Sequence, residues 1–74
     1  MIQGKNSEFV CDGQRYHIQT EYLDTEQEEK LLLSQVFLKG QVVYQKEQKV
    51  LEKTKIEVDK LHDYVISNIK EMIL

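Results

Sequence analysis

Chemistry needs nucleophiles, titratable groups or metal ligands held close together, and this chain carries few of them. Cys11, His17 and His62 are its only thiol and imidazole groups. Cys11 with His17 is the one pair that invites a nucleophile. A reactive thiolate needs a cation or a helix N-terminus to lower its pKa. The hairpin pairing derived below sets Cys11 on an apolar sheet face and His17 on the polar one, so the two cannot meet. Cys11 is therefore expected to be a buried, inert thiol. His17 and His62 fall on different elements, and no His or Cys spacing suits a metal that takes three or four ligands. His62, between Leu61 and Asp63, is expected on a helix surface.

The remaining candidates read as solvated. Asp24, Glu26, Glu28 and Glu29 cluster without the glycine that a calcium loop needs at its sharp turn. Neither glycine-rich phosphate-binding motif is present. Lys46, Lys49, Lys53, Lys55 and Lys60 are interleaved with Glu47, Glu52, Glu57 and Asp59, the mixed pattern of an exposed face. No cofactor and no metal is expected, and no catalytic residue can be named. A polar strip of Arg15, His17, Gln19 and Glu21 is the one place where a small ligand or nucleotide could be sensed.

Size and charge narrow the class further. Seventy-four residues make one small domain, and a core of this size rarely supplies more than ~3–5 kcal/mol. A single cysteine offers no internal disulfide, so a partner chain is the natural source of extra stability. The net charge of −3 with one arginine, Arg15, does not make the basic stripe of a nucleic-acid binder. No apolar run reaches membrane-spanning length, and Met1 to Glu8 lacks the apolar segment of a secretion signal. With one free cysteine, these features suggest a cytoplasmic protein.

The elements that must position these residues are marked by two turns, Asp12-Gly13 and Lys39-Gly40. Each divides an apolar, β-rich stretch into two arms, and Asp-Gly is a strong signal for a two-residue hairpin turn. A two-residue loop pairs Cys11 with Gln14, Phe9 with Tyr16 and Ser7 with Ile18. Strand alternation then groups Phe9, Cys11, Tyr16, Ile18, Thr20 and Tyr22 on one face. Leu31 to Leu38 admits a helix, with Thr25 and Glu28 as a capping box, but the strand reading gives Gln41 to Gln45 a neighbour and is preferred. From Glu47 to Leu74 there is no helix breaker, and Val58, Leu61, Val65, Ile69 and Met72 form an amphipathic stripe. The expected fold is α+β: an antiparallel meander of about four strands over residues 8–46, after a frayed 1–7, then one long helix over 47–74.

This arrangement leaves surplus apolar surface. One helix covers one face of a sheet, yet the second hairpin points Leu32, Val36 and Leu38 one way and Leu31, Leu33 and Phe37 the other, with Val42 and Val43 also divided. A helix from residue 47 would also outrun a sheet of short strands. The expected function is a non-enzymatic protein-interaction module that binds another protein or itself, as a homodimer. Leu31, Leu33, Phe37, Val42 and the helix stripe Val58, Leu61, Val65, Ile69 and Met72 are its candidate contacts. Nucleic acid and membrane are not expected partners.

Overall fold

The computed structural model describes residues 2–24 and 30–73. Four strands, β1 (Lys5–Cys11), β2 (Gln14–Asp24), β3 (Lys30–Leu38) and β4 (Gln41–Lys49), form one antiparallel sheet in the order β1-β2-β3-β4. A single helix, α1 (Lys55–Ile73), follows. It lies across β1, β2 and β3 on one side of the sheet. The acidic cluster and the alternative cap at Thr25 and Glu28 involve residues 25–29, outside the described ones.

The turns set the register. Asp12 and Gly13 have φ of 51° and 77°, and Lys39 and Gly40 have 53° and 79°. Two successive positive φ values are those of the tight hairpin turn whose twist matches the flanking strands. The first hairpin accordingly pairs Cys11 with Gln14, Phe9 with Tyr16 and Ser7 with Ile18. The rings of Phe9 and Tyr16 stack across it with centroids 5.2 Å apart. β3 is a strand along its whole length, pairing with β2 from Tyr16↔Leu38 to Asp24↔Lys30. The helical alternative for this segment fails because its two apolar sets are separated by strand parity: Leu32, Ser34 and Val36 are buried and face α1, while Leu31, Leu33 and Phe37 lie on the other side. Ile18, Leu32 and Val36 of the sheet and Val58, Leu61, Val65 and Ile69 of the helix make up the core.

Three boundaries differ from the sequence reading. β1 begins at Lys5, so the first seven residues are not simply frayed. β4 runs to Lys49 instead of ending near residue 46, because β3 offers pairing partners as far as Leu31↔Lys49. The helix starts at Lys55, not at Glu47. Its start is fixed by Thr54, whose Oγ1 accepts a hydrogen bond from the Glu57 backbone N–H at 3.2 Å. This Thr-x-x-Glu spacing has the form of a capping box. The Tyr22 hydroxyl holds the same point, donating to the Thr54 carbonyl at 2.7 Å and accepting from the Thr54 N–H at 2.8 Å.

The shorter helix removes the expected overhang. Its 19 residues span about 28 Å at 1.5 Å per residue. The 11 residues of β2 span roughly 36 Å. The helix is therefore shorter than the longest strand of its sheet. The register of the second hairpin also slips by one residue: Val36 pairs with Tyr44 but Phe37 with Val42, which leaves Val43 as an extra residue in a bulge. Val42 and Val43 are 46% and 49% exposed.

The turn geometry generates two expectations for stability. Gly13→Val places a β-branched residue at φ 77° and is expected to lower stability by about 1–2 kcal/mol. Lys39 already carries a side chain at positive φ, and Lys39→Asn is expected to add a few tenths of a kcal/mol, because asparagine tolerates that region better. Urea unfolding midpoints measure both; an unchanged midpoint for Gly13→Val would contradict the tight turn.

Candidate functional site

The inner face of the sheet is not uniformly apolar. Register places Lys5, Thr20, Ser34 and Lys46 in one row across all four strands, beneath the helix. Thr20 and Ser34 are fully buried at its centre. A buried hydroxyl without a partner costs several tenths to a few kcal/mol, so this row demands a polar group from the layer above. His62 supplies it. On α1 it sits one turn beyond Val58, within the apolar stripe, and its exposure is 0%. It is a core residue, not the helix-surface residue that its neighbours Leu61 and Asp63 suggested.

The imidazole completes a chain of hydrogen bonds. His62 Nδ1 lies 2.7 Å from Thr20 Oγ1, which lies 2.8 Å from Ser34 Oγ. His62 Nε2 lies 2.8 Å from Ser7 Oγ on β1. Lys5 Nζ, at the end of the row, meets Asp59 Oδ1 of the helix at 3.3 Å. One ring thus joins helix α1 to three strands. Among the described residues, no buried side-chain nitrogen or oxygen lacks a partner. Burial pushes the His62 pKa below its ordinary value of 6.5; the nearby Lys5 adds to this, and Asp63 and Asp59 oppose it. The ring is therefore neutral at neutral pH.

Ser7 with His62 has the spacing of a hydroxyl and its base. A nucleophile also needs an approach for substrate and a place to bind the developing charge. The main surface hollows, lined by residues such as Ile2, Gly4, Lys5, Lys55 and Asp59 or Lys46, Lys60, Leu61 and Tyr64, include neither Ser7 nor His62 in their walls. The arrangement is suited to fixing the helix on the sheet: Thr20, Ser34 and His62 are buried beneath it, and Ser7 is half-buried on the edge strand.

The opposite face of the sheet has no helix over it among the described residues. Five rows lie on it. Val10 and Arg15 form the first, beside the turn; Glu8, His17, Phe37 and Val42 form the next; Asn6, Gln19, Gln35 and Gln45 follow; then come Glu21, Leu33 and Glu47, and finally Leu23, Leu31 and Lys49. In the amide row, Gln35 Nε2 donates to Gln45 Oε1 at 3.2 Å. Arg15, His17, Gln19 and Glu21 share this face but are strung along β2 in different rows. Arg15 Nε and His17 Nδ1 lie 4.0 and 3.8 Å from the Glu8 carboxylate. The His17 ring tilts toward Phe37, with centroids 6.4 Å apart. Gln19 and Glu21 line a surface hollow with Gly4, Asn6 and Lys53, while Arg15 and His17 lie outside it, so the four do not converge on one site.

The candidate contact residues divide into two groups. Val58, Leu61, Val65 and Ile69 are buried against this chain's own sheet, so they are committed to the core and are not available as a surface. Leu31, Leu33 and Phe37 lie half-buried on the helix-free face, Val42 is exposed beside them, and Met72 is 68% exposed near the end of α1. Cys11 is half-buried, less enclosed than expected, because it stands at the turn end of edge strand β1. Among the described residues, no three histidine, cysteine, aspartate or glutamate side chains are grouped to hold a metal ion. None of their helices is long and apolar enough to cross a membrane.

No family model, curated protein or solved structure matches the chain. The residues that sequence reasoning passed over are Ser7, Thr20, Ser34 and His62. A signal for them was present. Thr20 and Ser34 fall on the apolar face of their strands, and His62 is four residues from Val58 and seven from Ile69 on the helix stripe. Polar residues that keep an apolar period in both layers predict a buried polar contact between them.

The depressed pKa of His62 fixes the sign of a pH effect. The unfolded chain binds a proton near 6.5, and the folded chain resists it until lower pH. Stability is therefore complete above the unfolded value and falls as pH drops below it. Urea midpoints are expected to be flat above about pH 7 and to decline from about pH 6.5 toward 5. His62→Gln is expected to flatten this decline and to lower stability at neutral pH by about 1–3 kcal/mol, through a poorer fit to Thr20 and Ser7. An equal decline in both proteins would remove His62 as its source.

Proposed function

We propose that this chain is a non-enzymatic protein-interaction module that associates with copies of itself, and that its helix-free sheet face takes part in the contact. The observation that carries this reading is the face opposite the helix: Leu23, Leu31 and Leu33 at one end and Phe37 and Val42 at the other, with no helix among the described residues lying over them. Antiparallel sheets tolerate one wet face when that face is polar. Here apolar side chains are interspersed with charged and amide ones within the rows, which gives a surface able to exclude water without being insoluble as a monomer.

The dimensions support the reading. Four strands of this length make a face of roughly 19 Å by 26 Å, or about 500 Å², comparable to the ~500 Å² per partner buried in the smallest specific interfaces. The amide row adds donors and acceptors that a second flat sheet can meet. The half of the stability problem that a small core leaves unsolved is also addressed, because burial of Leu31, Leu33 and Phe37 in an assembly adds apolar area that the monomer keeps partly in water.

Sedimentation equilibrium tests the proposal. The wild-type chain at high micromolar concentration is expected to give about twice its 8.8 kDa mass. Leu33→Lys puts a charge in the centre of the helix-free face without touching the core, and is expected to weaken association about tenfold or more while circular dichroism stays unchanged. A monomer mass for the wild type at these concentrations would overturn self-association.

A further inference from the structure

We propose that two copies of the chain pack their helix-free faces together about a two-fold axis that runs along the amide row Asn6, Gln19, Gln35 and Gln45, at right angles to the strands. Phe37 of each copy then meets Leu33 of the other, and His17 of each meets Glu21 of the other. This inference rests on the self-association proposed above and fixes how the second copy sits.

Area and self-complementarity set the position of the axis. The whole face, about 500 Å², only just matches the ~500 Å² per partner of the smallest specific interfaces. A slip of one row along the strands, ~7 Å, would withdraw about a quarter of it. Two identical faces overlap fully only when the axis passes through their centre, and the amide row is the third of the five. A residue on a two-fold axis also faces its own copy. The amide row is the one row without a charged or titratable side chain, whereas Arg15, Glu8, Glu21 with Glu47, and Lys49 mark the other four. Side-chain amides carry both donors and acceptors, so such a row can bond to itself.

Charge sets the direction of the axis. Sheets packed face to face keep their strands within about 30° of alignment, so the axis runs along the strands or across them. An axis along β3 would lay β2 over β4 of the partner subunit, row for row. Glu21 would then stand against the partner's Glu47, twice, and like charges brought together are destabilising. An axis midway between β2 and β3 would press Glu21 onto the partner's Leu33 and bury a carboxylate with no counter-charge. Among the described residues, no ion pair holds Glu21 or Glu47. An axis across the strands keeps each strand over its own copy and exchanges the second row with the fourth. It sets Phe37 over the partner's Leu33 and His17 over the partner's Glu21. Glu47 falls at the rim, over the partner's Val42, where its carboxylate reaches water.

The side chains concerned are placed for these contacts. Leu33 and Phe37 are half-buried on this face, and Glu21 is exposed. His17 has the Glu8 carboxylate 3.8 Å from Nδ1, which leaves Nε2 for the partner's Glu21. Arg15, on the same face and one row nearer the turn, lies 4.0 Å from Glu8 and adds positive charge beside the imidazole. In the middle row, Gln35 Nε2 already donates to Gln45 Oε1 at 3.2 Å, and the amide groups left over meet the same row of the other copy. Both helices stay on the outside, giving four layers in the order helix, sheet, sheet, helix. The contact uses the same patch on both copies and therefore closes at two.

Charge exchange tests the arrangement by sedimentation equilibrium, with circular dichroism to check that each variant folds. Residues 17 and 21 stand four positions apart on β2, roughly 13 Å, so coupling between them runs through the partner. His17→Glu and Glu21→Lys are each expected to weaken association about three- to tenfold, and the double exchange to recover most of the loss. An equal mixture of the two single variants is expected to form a heterodimer tighter than either homodimer, because each of its pairs joins groups that attract. Glu47→Lys is expected to change association less than about twofold, as a rim charge does. A wild-type chain that stays monomeric, or a wild-type dimer that Leu33→Lys leaves intact, would overturn the proposed function and this inference with it. A dimer that Leu33→Lys weakens, but that shows no recovery in the double exchange, no preference in the mixture or a tightening by Glu47→Lys, would overturn this two-fold alone.

Discussion

The position of helix α1 depends on one buried imidazole. His62 reaches Thr20 on β2 and Ser7 on β1 through its two ring nitrogens, and Ser34 on β3 through Thr20. Apolar packing alone is non-directional; Val58, Leu61, Val65 and Ile69 would bury comparable area after a small slide or rotation. The hydroxyl–imidazole chain does not tolerate such a slide, because each displaced group would be left unsatisfied in the core. The ends of the helix segment are fixed in the same spirit: Tyr22 holds Thr54 at the start, and Lys5 meets Asp59 one turn later. The apolar cluster drives docking, and the polar chain decides where docking occurs.

A meander with one helix has an unavoidable consequence. Among the described residues its single covering layer lies on one side of the sheet, and β1 and β4 are the outer strands. Natural sheets blunt such edges with charge, bulges or short strands. β4 uses a bulge at Val42 and Val43, but its remaining length is regular and carries Glu47 and Lys49 on one face. Alternating sign along such a strand deters non-specific pairing.

The proposed role follows from this geometry, not from chemistry. The structure brings together four groups that are elsewhere used in catalysis, two serines, a threonine and a histidine; Thr20, Ser34 and His62 are closed beneath the helix, and Ser7 is half-buried on edge strand β1. Burial lowers the histidine pKa and keeps it neutral, which favours a structural hydrogen bond over proton transfer with solvent. Its helix-free sheet face carries apolar side chains interspersed with charged and amide ones.

Local features were legible in the amino-acid sequence because local physics determines them. Asp12-Gly13 and Lys39-Gly40 allow the positive φ values that tight turns demand, so both hairpins and the register of the first could be read directly. The period of Val58, Leu61, Val65 and Ile69 identified the buried side of the helix. Other properties depend on residues distant along the chain. The length of β4 was decided by the partners β3 offers, the helix start by Tyr22 gripping Thr54, and the bulge by how Phe37 and Val42 meet. His62 was misplaced on the surface because its local environment is half charged, and only the polar row of Thr20 and Ser34 beneath it makes burial favourable. Sequence periodicity states which side of each element is apolar; tertiary structure alone decides which polar groups the apolar sides enclose, since that depends on partners separated by up to 55 positions along the chain.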